Sequence, residues 1–234
     1  LLDYAFIYAP FDEHPDGEVP EVVEWAKKWK TESKIPILDC YYGSTVEPLF
    51  GLVDVWLGQD PRSTHWGKPT PPLGWGDKAV ARKAAGNQFL SCNASLIWHV
   101  EYEPVAGRAQ FWDDFAAGVD GRYVYSTCRW TDDTYQKNWT TGNHMGSVVY
   151  PGPRGITTSI RLETLRDAVE DYDYLAILRD TVKRVEGKAS ADLIGAAKAI
   201  VEDPRLSEKV KTTEDLHAMR GKIAELIEKL NAAK

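Results

Sequence analysis

Tyr4-Ala5-Phe6-Ile7-Tyr8-Ala9-Pro10-Phe11-Asp12-Glu13 is the stretch on which the fold turns. Its first eight residues are largely aromatic and aliphatic, the composition of a buried strand. The strand stops at Asp12-Glu13-His14-Pro15-Asp16-Gly17, a cluster of turn formers. A helical stretch begins near Pro20, a residue suited to a first helical turn. Strand, acidic turn and helix in that order make one β/α unit. In parallel α/β proteins catalytic groups collect at the carboxyl ends of strands. Two carboxyls there can divide acid/base work from an orienting role. Residue types alone leave a second possibility, a solvated pair of loop acids.

Outward from this unit the pattern repeats. Residues 34–42 and 53–58 read as further strands, 78–85 as a helix, 87–92 as a strand, 107–118 as a helix and 121–125 as a fifth strand. Three long loops interrupt them, 59–77, 93–104 and 126–152, and most of the tryptophans fall there. The remainder is helical. Ser159 and Ser190 are N-cap residues, and Thr212 with Asp215 forms a capping box. The stripe Leu162, Leu165, Val169, Tyr172 and Ala176, continuing through Val182 and Val185, predicts the buried face of the helix after Ser159. The chain divides into an α/β part over 1–186 and a helical appendage over 187–234.

Composition narrows the function. A net charge of -7 with pI near 5.3, and no long Lys/Arg run, argues against a nucleic-acid partner. No apolar stretch reaches the roughly 20 residues needed to span a membrane. Three cysteines, Cys40, Cys92 and Cys128, are far apart and read as buried free thiols. The five histidines lack metal-ligand spacing, so no metal is expected. There is no GxGxxG after a strand, no P-loop and no G-x-S-x-G, so no cofactor is expected. Nine tryptophans fit a carbohydrate partner, because flat aromatic faces pack against the axial C–H groups of sugar rings; core filling is the alternative.

Several segments, in order, resemble the catalytic domain of glycoside hydrolase family 123, the β-N-acetylgalactosaminidases and their relatives. The strand ending in Asp12-Glu13 is similar to the family's Asp-Glu strand, and Val53-Asp54-Val55-Trp56 to a second family strand. Arg108 and Trp112, then Gly118-Val119-Asp120-Gly121, resemble its helix-to-strand passage. The longest likeness runs from Tyr150-Pro151-Gly152 through Ser159-Ile160-Arg161-Leu162-Glu163 and Leu165-Arg166-Asp167 to Val169-Glu170-Asp171-Tyr172-Asp173-Tyr174-Leu175. The resemblance covers about residues 4–180. Three departures stand out. Glu13-His14-Pro15 replaces the family's usual Glu-Pro, Ala168 replaces a glycine, and the strand end near Tyr125 and Cys128 lacks the usual Trp and Asn.

The resemblance implies a (β/α)8 TIM-barrel-like fold of which this chain carries about strands four to eight, with extra C-terminal helices. Half a barrel leaves unpaired strand edges and an exposed apolar lumen. The resemblance therefore implies a partner: a missing N-terminal barrel half, preceding Leu1 or on another chain. It implies a glycoside hydrolase acting on terminal β-linked N-acetylhexosamine, N-acetylgalactosamine above all, by substrate-assisted retention. Glu13 would be the general acid/base, and Asp12 would hold the 2-acetamido N–H. Tyr41 or Tyr42 is placed to bond the acetamido oxygen, with core packing the alternative. Trp56, Trp98, Trp130 and Trp139 are candidate stacking walls. A glycosidase of other specificity and a non-catalytic carbohydrate-binding barrel fragment are the competing expectations.

Overall fold

A computed structural model of the chain describes residues 5–41, 45–59, 64–65, 68–69, 77–93, 103–124, 126–136 and 147–233. In chain order the elements are β1 (Ile7–Tyr8), α1 (Val19–Glu32), β2 (Ile37–Cys40), β3 (Val55–Gln59), β4 (Thr64–His65), β5 (Lys68–Pro69), α2 (Asp77–Ala84) and β6 (Gln88–Asn93). Then follow α3 (Pro104–Ala117), β7 (Gly121–Val124), β8 (Val149–Gly152), β9 (Gly155–Thr158), α4 (Ile160–Val185), α5 (Ala191–Val201) and α6 (Thr213–Ala232). The chain separates into two compact units, Leu1–Asn93 with Val119–Tyr123, and Ala94–Gly118 with Val124–Lys234.

The first unit holds a parallel five-stranded sheet, curled as part of a barrel, in the order β1-β2-β3-β6-β7. Strands run through the sheet in sequence order, the topology of successive right-handed β/α units. Each residue type goes where the register sends it. Ile7 pairs with Ile37, and Asp39 pairs with Trp56. These residues point to the face covered by α1, where Val22, Ala26, Ile37, Trp56 and Phe89 form the core. Leu38, Cys40, Val55 and Leu57 point to the other face. On β1 that face carries Tyr8, 36% exposed, with Phe6 just before the strand 51% exposed, while Ile7 is half-buried against the α1 side.

Two aspartates fasten the amino ends of the strands. Asp54 accepts from the Ile37 amide at 2.8 Å and from Lys30 Nζ at 2.5 Å. Asp120 does the same two strands further along the sheet, accepting from the Phe89 amide at 2.8 Å and Lys83 Nζ at 2.7 Å. Both acids belong to segments that resemble the family. Their work is structural, satisfying an amide at the start of a strand with a charge-assisted bond.

The second unit is built on α3 and α4. Pro104 starts α3, and Gly118 ends it in the left-handed conformation at φ 70, where a Cβ would be strained. The core joins Trp112 and Phe115 of α3, Leu175, Leu178 and Val182 of α4, Ala197 and Ile200 of α5, and Leu216, Ile223 and Leu230 of α6. Ser159, Ser190 and Thr212 cap their helices as expected, Thr212 with Asp215 as a capping box. The first half of α4 departs from expectation. Its buried residues are Arg161, Thr164, Ala168 and Asp171, while Val169 is 46% exposed. Asp171, fully buried, takes Arg108 of α3 in a bidentate pair, Nε and Nη2 each at 2.8 Å. Of the expected stripe only Val169 faces outward; Leu165 and Tyr172 are half-buried against Phe111 and Ala168, and Ala176 packs on the core around Leu175.

Other departures are local. Part of the loop expected over 126–152 is strand β8, which forms an antiparallel hairpin with β9. Cys40 is buried, but Cys128 is exposed. Among the described residues no helix is long and apolar enough to cross a membrane.

Candidate active site

The decisive geometry is a bulge at the carboxyl end of β1. Tyr8 pairs with Leu38, and the next bridge joins His14 to Tyr41. Six residues of the first strand therefore advance while the second advances three. The extra residues leave the sheet, and Asp12 and Glu13 lie among them. Bulges re-aim side chains beside active sites in this way. Strand alternation would send neighbouring carboxyls to opposite faces. Here Glu13 takes a left-handed φ of 51, which breaks that alternation. Both acids are exposed, and neither joins an ion pair among the described residues.

Each side of the bulge is tied down. The Tyr8 hydroxyl donates to Asp12 Oδ1 at 2.5 Å. Burial and the Asp12 carboxylate push the Tyr8 hydroxyl well above the ordinary tyrosine range, so it stays a donor. His14 Nε2 faces both oxygens of Asp39, at 3.1 and 3.0 Å, and both side chains are fully buried. Burial alone would lower the imidazole's pKa, but the Asp39 carboxylate outweighs it and the net shift is upward. The Tyr41 ring lies 5.0 Å from His14, and its hydroxyl donates to Asp16 Oδ1. Burial, then Asp16, raises the Tyr41 hydroxyl above its usual range.

The other sequence candidates separate. Tyr41 comes to the bulge, but as a buried brace whose hydroxyl also accepts from the Thr45 amide at 2.5 Å. Trp56 is corrected from stacking wall to core. It is 2% exposed on the α1 face, edge-on to Phe50 at 6.3 Å, because the register pairs it with Asp39. Tyr42, Trp98 and Trp139 lie outside the described residues. Trp130 belongs to the second unit, is 39% exposed, and donates from Nε1 to the Val149 carbonyl at 2.9 Å. Beside it Tyr135 stacks on Tyr150 at 5.4 Å and 20°, its hydroxyl bonded to the Pro151 carbonyl at 2.6 Å. Both exposed rings are thus fixed by their polar tips along β8.

Neither His14 nor Asp39 is singled out in the sequence reading. One signal was available, a carboxylate inside the apolar strand Ile37-Leu38-Asp39-Cys40, which must find a partner to be buried. Among the described residues no group of three or more His, Cys, Asp or Glu side chains is placed to hold a metal ion.

Residues 81–178 match the family model for the glycoside hydrolase 123 catalytic domain. No curated protein matches the chain. The matched stretch contains Arg108, Trp112, Arg161 and Asp171; Asp12 and Glu13 precede it. The sequence resemblance and the family match thus agree: residues 81–178 are similar to the glycoside hydrolase 123 catalytic domain.

Proposed function

We propose that the protein hydrolyses terminal β-linked N-acetylhexosamine, N-acetylgalactosamine above all, with retention. The family domain speaks for glycoside hydrolase activity in general. One observation carries the finer proposal: the six-against-three bulge lifts two exposed carboxylates from the end of β1. Glu13 donates its proton to the departing glycosidic oxygen. The substrate's own acetamido oxygen attacks C1, the exception to the two-carboxylate scheme. Asp12 accepts the acetamido N–H and offsets the positive charge as the ring closes. Tyr8 occupies Asp12 Oδ1, which leaves Oδ2 toward the sugar. Glu13 then removes a proton from water as the intermediate opens.

β1 and β7 are the edges of the sheet, and Tyr8 on β1 and Phe6 just before it are exposed. We propose that further β/α units, in the same polypeptide or another chain, pair with these edges. A glycosidase of other specificity is the second reading, favoured by one fact: the family match begins after the acid pair. Proton NMR of the first-formed anomer, with 2-acetamido and 2-hydroxy substrates side by side, tests the proposal. Retention confined to the acetamido sugar supports it. Equal turnover of both sugars, or inversion, overturns it.

A further inference from the structure

We infer that His14 is a positioning residue: its contact with Asp39 closes the bulge and sets where the Asp12 and Glu13 carboxylates stand. This rests on the assignment of those two acids as the reacting pair. His14 is where the chain rejoins β2, through the bridge to Tyr41. The residue before it, Glu13, holds a φ of 51, a conformation disfavoured for a side chain with a Cβ. Such a conformation persists only where the surroundings over-determine it.

The surroundings do so at three points. Tyr8 holds Asp12 ahead of Glu13, and His14 locks onto Asp39 directly after it. Tyr41, against the His14 ring, holds Asp16 at the start of the turn leading into α1. The middle point is the strongest of the three. Asp39 is fully buried in an apolar strand, where a carboxylate without a partner is costly. The pair therefore resists rotation of either side chain, and His14 fixes the backbone leaving Glu13. The titratable groups facing His14 are Asp39 of β2, Tyr41 just after that strand and Glu18 before α1. Loss of the imidazole's proton removes the charged half of the contact and loosens the bulge.

The test uses the complete polypeptide with His14→Gln, Asp39→Asn and the double variant, whose two amides can bond each other. On a nitrophenyl 2-acetamido-2-deoxy-β-galactoside, each single variant is expected to lose about a hundredfold in kcat, with KM little changed. The double variant is expected to recover part of that loss. The backbone amide signals of Asp12 and Glu13 should shift in both single variants while those of α4 stay in place. A folded His14→Gln protein with wild-type kcat and unmoved Asp12 and Glu13 amides overturns the inference. If wild type turns over no sugar, the acid-pair assignment fails, and the amide shifts alone decide the clamp. If His14→Gln does not fold, wild-type titration decides. The Asp12 and Glu13 amides should follow the His14 ring signals with pH, and independence of the two overturns the inference.

Discussion

The first unit buries His14 against Asp39; the second buries Arg108 against Asp171, and the two pairs differ in kind. Arg108 meets Asp171 through two parallel bonds, and Arg220 adds a third contact to the same carboxylate at 3.3 Å. A guanidinium stays charged at every pH a protein survives, and its planar fork fixes geometry. It suits a permanent joint between α3 and α4. An imidazole meets a carboxylate at one nitrogen and can lose its charge near neutral pH. It sits at a strand end, beside a bulge that carries two exposed acids. A buried ion pair is thus not one kind of device. Its cation and its place in the fold decide whether it supports a scaffold or sets a site.

The largest expected effect separates chemistry from scaffold. Asp12→Asn and Glu13→Gln, in the complete polypeptide, should each lower kcat by about 10²–10⁴. Both side chains are exposed, so unfolding free energies should stay within about 0.5 kcal/mol of wild type. Equal losses of stability and turnover would place these acids with the scaffold. Next comes the joint of the second unit. Arg108→Met leaves Asp171 with only the longer Arg220 contact and should cost about 3–5 kcal/mol in urea unfolding. Adding Asp171→Leu should restore most of it, because matched apolar residues often replace a buried ion pair without loss.

A smaller effect distinguishes the two cations by pH. The folded His14 pKa lies above the ordinary value near 6.5, so its stabilisation is complete below that value. It is lost as pH rises through the folded pKa. The stability gap between wild type and His14→Gln should therefore narrow with rising pH, while the Arg108→Met gap stays level over roughly pH 5–8, the range in which histidine is the side chain whose ordinary pKa falls. A His14 gap that widens with pH contradicts the sign of the shift. Smallest is the Thr212→Ala cap, expected to cost about 1 kcal/mol of helix α6 in the same assay.

Much of the frame was legible because it is local. Caps at Ser159, Ser190 and Thr212, and the strand–helix alternation up to β7, depend on neighbours within a few residues. The α4 stripe was legible except at Val169; the burial of Asp171 was not, because its partner Arg108 lies more than sixty residues earlier in the chain. The β8–β9 hairpin was hidden by Pro151, a residue that weakens any strand signal. Asp12 and Glu13 were visible as a motif, and Pro15 and Gly17 beside them suited a strand end or bulge, but the size of the bulge was not legible. It exists only as an offset between two paired strands, and no single stretch of sequence encodes that offset. Trp56 shows the same limit, since its face follows from pairing with Asp39.

The most direct test of the central claim varies the leaving group against Glu13→Gln. An acid is needed only when the departing oxygen must be protonated, so two 2-acetamido-2-deoxy-β-galactosides are compared, one with a methoxy and one with a dinitrophenoxy leaving group. If Glu13 is the acid, Glu13→Gln loses several orders of magnitude on the methyl glycoside and little on the dinitrophenyl one. Equal losses on both, or none on either, would contradict that role.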